Sequence, residues 1–136
     1  MNIELSEKEY RRLLDMVYIG NWILNSARGD DRFEDYDHVE EKLFSLAPSQ
    51  GMTSRVQIWQ GHIYPSQAFA DGGIPEAIAD YEDAVFFNIL AEELARRDLG
   101  LEETDPEDFG ELSARMEEYL DEFDRNGLNT VTVDNL

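Results

Sequence analysis

Two histidines and a run of carboxylates are the residues of this sequence best suited to chemistry. The segment RFEDYDHVEEKLF, residues 32–44, sets His38 among Glu34, Asp35, Asp37, Glu40 and Glu41. Imidazole and carboxylate groups serve both as ligands of divalent cations and as partners in general acid–base catalysis. On a helix, Asp35 and Glu41 flank His38 at i−3 and i+3, close enough for contact on the surface. A zinc site needs three or four converging ligands, drawn as a rule from more than one element. The other histidine, His62, stands in a different segment, and the chain has no cysteine. On a helical wheel Phe33, Tyr36, Val39, Leu43 and Ala47 share one side, with His38 nearly opposite, so His38 is expected in solvent.

Glu40 reads differently. The wheel places it beside the apolar side, between Phe33 and Ala47. Asn21 shares a face with Tyr10, Leu14 and Val17 on an earlier helix, and Asn88 and Glu92 lie one turn apart among Tyr81, Val85 and Ala95. Buried polar groups cost stability unless they find partners. Asn21, Glu40, Asn88 and Glu92 are therefore expected to meet in a buried polar network. The alternative is a carboxylate site between helices, metal-binding or hydrolytic, with Glu40, Glu92 and His62 as candidate metal ligands. That alternative lacks the Glu-x-x-His pairs of di-iron bundles. No catalytic residue and no cofactor is expected.

Other patterns fail at a defined position. Aligning Gly127 with the sixth position of a calcium loop puts Val133 at the twelfth, where a bidentate carboxylate is required. Gly127 as the end of a helix accounts for it better. Gly72-Gly73 is not followed by Lys-Ser/Thr, so it is no phosphate loop, and no serine stands in a G-x-S-x-G elbow. In the middle segment, Arg55, Trp59, His62 and Tyr64 would suit a ligand pocket. Packing of the aromatics onto helices is the commoner use.

The elements that position these residues are mostly helices. SEKE, residues 6–9, is a capping box that opens a helix over residues 7–27, with Tyr10, Leu13, Leu14, Val17 and Leu24 as its spine. Asp30 or Asp31 is expected to cap a second helix running to about residue 46, stopped by Pro48. Residues 48–73 are low in charge and rich in Gly, Ser, Gln and Pro, which predicts a loop or a short hairpin around Val56, Ile58 and Ile63. A third helix over residues 74–98 has Pro75 in its first turn, and its apolar middle AVFFNILA predicts burial on all sides. Asp105 and Pro106 open a fourth helix with the stripe Phe109, Leu112, Met116, Tyr119, Leu120 and Phe123. Short strands are expected near Ile3 and Val131.

The expected fold is thus mainly α. About four helices form a single domain over residues 1–136, with short strands near the termini and in the middle loop as a further option.

Composition sets the partners. The chain carries 31 acids against 11 bases, a formal charge of −20. That field repels phosphate backbones and anionic lipid surfaces, which argues against direct nucleic-acid binding and against membrane association. It favours a basic protein partner. No run of apolar residues is long enough to span a bilayer. The start MNIELSEKEY lacks the pattern of a signal peptide, so cytoplasmic residence is expected. IELSEKEYRRLLDMVYIGNWILN, YEDAVFFNILAEELARRDL and EYLDEFDRNGL resemble stretches of a group of small, acidic, uncharacterised bacterial proteins. The resemblance implies a bacterial origin and carries no activity or site residue with it.

The function expected is that of a non-enzymatic acidic interaction protein. It binds a basic protein partner or itself as a homodimer, with nucleic-acid mimicry as one specific form. The expected partner-binding residues are Phe109, Leu112, Met116, Tyr119 and Phe123.

Overall fold

The computed structural model describes residues 1–103 and 105–136. The fold is mainly helical, with one small antiparallel sheet in the middle of the chain. Helix α1 spans Glu7–Asn25, α2 Glu34–Phe44, the single-turn α3 Gln67–Ala70, α4 Ile74–Leu99 and α5 Phe109–Asn126. Strands β1 (Val56–Trp59) and β2 (His62–Pro65) pair as a hairpin. The residues group into two compact units, 1–78 and 79–136, and the boundary falls within α4.

In the first unit, α1 begins as its sequence dictates. The Ser6 side chain accepts from the Glu9 amide, and the Glu9 carboxylate accepts from the Ser6 amide. Tyr10 and Leu14 bury the inner face of α1 against Phe44, Ala47, Met52, Phe69 and Ile74. Phe69 stands edge-on to both Phe44 (5.0 Å) and Tyr18 (5.5 Å). The short α3 exists to place that ring. Ser66 caps α3 by accepting from the Phe69 amide, while its hydroxyl donates to the Ser54 carbonyl at 2.6 Å.

The hairpin turns through two residues, Gln60 and Gly61, both at positive φ (49° and 80°). Such a turn matches the right-handed twist of the two strands. Gln57, Trp59, His62 and Tyr64 then share its exposed face, because side chains alternate along a strand and Trp59 pairs with His62.

In the second unit, α4 and α5 pack through Ala91, Ala95, Phe87, Leu112 and Phe123, with the Phe87 and Phe123 rings 5.3 Å apart. Gly127 closes α5, its amide donating to the Phe123 carbonyl.

Several expectations need correction. Residues 2–5 and 131–133 form no strand. Neither Asp30 nor Asp31 caps α2: the Asp31 carboxylate is occupied by Arg28 and the Gly29 amide, and the helix starts later, after Phe33. Of the expected inner side of α2, Leu43 and Ala47 do face the core, joined by Phe44, but Phe33, Tyr36 and Val39 are exposed. Finally, α4 is not buried on all sides, since Phe86 and Ile89 are exposed.

Candidate functional site

Two asparagines fix how α2 lies on α1. Asn25 is only 1% exposed. Its carbonyl oxygen accepts from the Phe33 amide (2.8 Å), and its Nδ2 donates to the Phe33 carbonyl (3.1 Å) and to Asn21 Oδ1 (2.7 Å). Asn25 thereby does for the start of α2 what no side chain within α2 does. Asn21 donates onward to Asp37 Oδ1 at 2.9 Å. Asn21 and Asn25, four residues apart on α1, thus turn the polar side of α2 inward at Asp37 and Glu40. Phe44, one turn further on, closes the core.

Between α2 and the hairpin lies a recess of about 440 Å³, lined by Arg32, Glu34, Asp37, His38, Glu40, Glu41, His62, Ile63 and Tyr64. Glu41 clamps the hairpin to α2, accepting from the Ile63 amide (3.2 Å) and facing His62 Nδ1 at 3.0 Å. Those bonds, the Ile63 amide first, lower the Glu41 pKa. Arg32 spans Asp37 with two bonds of 2.7 and 2.8 Å, which with the Asn21 amide hold that carboxyl below its ordinary range.

Glu40 is half-buried, and burial pushes it up to about 7, with the negative charge of Asp37 adding to the rise and the Asn21 side chain opposing it. Neighbouring carboxyls thus have acidities driven apart, a pattern common where protons are exchanged or charge is switched.

The sequence-derived candidates distribute as follows. Glu40 and His62 line the same recess, and His38, exposed to solvent as expected, lines it too. Asn21 lies near Glu40 and lowers its pKa, but its amide donates to Asp37. Asn88 and Glu92 belong to the second unit and bond within their own helix. Asn88 is exposed and donates to the Ala84 carbonyl, and Glu92 pairs with Arg96 at 2.5 Å. Among the described residues no three His, Asp or Glu side chains converge as metal ligands.

On the α5 stripe Leu112 and Phe123 are buried, Met116 and Tyr119 half-buried, and only Phe109 is exposed. The stripe packs within its own unit. Tyr119 also donates to Asp98 at 2.5 Å, beside Arg97 and Arg115.

Sequence reasoning did not find Asn25, Arg32 or the Glu41–His62 clamp. The signal for Asn25 was present, since a second asparagine one turn after Asn21 on a helix's inner face implies a shared partner. The Glu41–His62 pair spans 21 residues and left no mark in local spacing. Compared with known proteins, the chain matches no family model, no curated protein and no solved structure.

Proposed function

We propose that this chain is a non-enzymatic acidic interaction protein that binds a basic protein partner. In the first unit the seat of that partner is the recess between α2 and the hairpin. One observation carries the reading. The recess is walled by four carboxylates, Glu34, Asp37, Glu40 and Glu41, while its single arginine is already paired with Asp37. Tyr64, itself exposed, lines the recess, and Trp59 (64% exposed) pairs across the hairpin with His62 of its wall.

Arg32 offsets one of the four carboxylates and Glu34 is exposed, so the recess keeps a negative charge that a Lys or Arg can meet. Exposed indole and phenol rings add cation–π attraction and apolar area. Electrostatic steering by the net charge would speed encounter with such a partner.

The test uses the immobilised full chain and cell lysate at low and moderate salt, alongside Glu34→Lys and Trp59→Ser, both at exposed positions. A protein retained at low salt by the wild type and lost from both variants supports the reading. Retention indifferent to the variants, or to salt, overturns it.

A second reading, proton transfer by the Glu40 carboxyl in a hydrolytic reaction, draws on its position in the recess and its raised pKa. It predicts a hydrolytic activity that Glu40→Gln abolishes while partner retention survives. An unchanged activity in Glu40→Gln excludes it.

A further inference from the structure

The middle of α4 presents an apolar face that its own unit leaves uncovered. At about 100° per residue, Phe87, Leu90, Ala91, Leu94 and Ala95 occupy the side that meets α5. Tyr81, Phe86 and Ile89 fall on the other side and are 61%, 47% and 58% exposed. Tyr81 and Ile89, eight residues apart, lie on one i, i+4 row of the helix and Phe86 stands beside Ile89 at i−3, so the three form an apolar patch over two turns, a surface by which one helix receives another.

The charge around the patch selects the occupant. Glu82, four residues before Phe86, and Glu93, four residues after Ile89, stand at its two ends and are exposed. Residues 79–136 carry 18 acids against four arginines. Three of those arginines are engaged locally: Arg96 by Glu92, Arg97 by Asp98, and Arg115 by Asp98 and Glu118. A second copy of the chain would bring the same acidic frame against this one, and like charges placed together oppose association. A partner with an apolar stripe bordered by Lys or Arg meets both features at once.

We propose that the face of α4 formed by Tyr81, Phe86 and Ile89, framed by Glu82 and Glu93, docks an amphipathic helix of a basic protein. Apolar side chains of that helix cover the patch, and its flanking bases meet the frame. This surface belongs to the second unit and uses none of the recess residues, so it stands or falls independently of the reading above.

The experiment measures fluorescence anisotropy of a labelled synthetic helix with leucines on one face and lysines elsewhere, titrated with the full chain. A scrambled peptide of the same composition, with no continuous stripe, is the control. The striped peptide binds, and added salt weakens it. Phe86→Ser and Ile89→Ser each weaken it by about tenfold or more. Glu82→Lys combined with Glu93→Lys weakens it without touching the patch, and Glu34→Lys in the recess leaves it unchanged. Circular dichroism checks that each variant folds. Equal binding of the scrambled peptide overturns the proposal, as does binding indifferent to Phe86 and Ile89. A dimer in sedimentation velocity that Ile89→Ser dissociates also overturns it, because a second copy then occupies the face.

Discussion

At the scale of single residues, Glu40 and Asn25 are the informative positions. Glu40 sits half out of water with its acidity pushed from the ordinary 4.5 up to about 7. The folded state therefore holds a proton that the unfolded state gives up between those values. Stability falls as pH rises through that window, and the cost is fully present above pH 7 and absent below 4.5. Allowing for solvent screening at a half-exposed group, the cost is about 1–2 kcal/mol. Glu40→Gln should accordingly be more stable than the wild type by that amount at alkaline pH and equal to it at acid pH, as read from urea unfolding at both.

Asn25 acts in the opposite sense. Its amide satisfies both backbone groups of Phe33, and Asn25→Ala leaves them wanting. A loss of about 2–3 kcal/mol is expected, from the cost of unpaired buried groups, and urea unfolding measures it.

At the scale of elements, the hairpin and α3 show how short pieces serve a site. The hairpin carries His62 and Tyr64 to the recess, and its turn asks Gln60 for a positive φ that a residue with a full side chain adopts at a cost. Gln60→Asn keeps the turn and relieves that cost, so a gain of roughly 0.5 kcal/mol is expected in thermal unfolding. The one turn of α3 contributes Phe69 to the centre of the first unit's core. Phe69→Ala should cost about 3–5 kcal/mol and should loosen the hairpin, which amide hydrogen exchange at Ile63 would register.

The capping box, the Pro75 start of α4 and the Gly127 stop were legible in the sequence, because each depends on residues a few positions apart. Asp105 and Pro106, by contrast, open only a 3-10 turn over Pro106–Asp108, the Asp105 side chain makes no capping bond among the described residues, and α5 begins at Phe109. The side of α2 that turns inward was not. A wheel weighs apolar residues only, whereas here Asn21 and Asn25 on α1 draw Asp37 and Glu40 in and leave Phe33, Tyr36 and Val39 outside. Arg28 lies 4.0 Å over the Phe33 ring, which gives that ring a cover without burial.

At the scale of the whole molecule, charge is unevenly shared. Residues 1–78 hold 13 acids and seven bases, and residues 79–136 hold 18 acids and four. Like-charge repulsion in so acidic a chain should be relieved by salt. The melting temperature, followed by circular dichroism, should rise between about 10 mM and 0.3 M sodium chloride, where the screening length shortens from about 30 Å to well under 10 Å. A fall over that range would mean that the arginine pairs outweigh the repulsion. Among the described residues no helix is long and apolar enough to cross a membrane.

The sequence by itself determined the helical class, the ends of most helices and the acidic surface, since these follow from local spacing, capping chemistry and composition. It also singled out Glu40 as a carboxylate near a dry side. Only the tertiary structure decided that His38 and His62 line one recess, that Glu41 clamps the hairpin, and that Asn88 and Glu92 belong to the second unit. It alone showed that the α5 stripe is largely spent on α4 while an outward face of α4 stays open. Those outcomes depend on side chains brought together from distant parts of the chain, and on which of two competing faces wins burial. Hydrophobic periodicity cannot resolve that choice when hydrogen bonds between helices set the rotation.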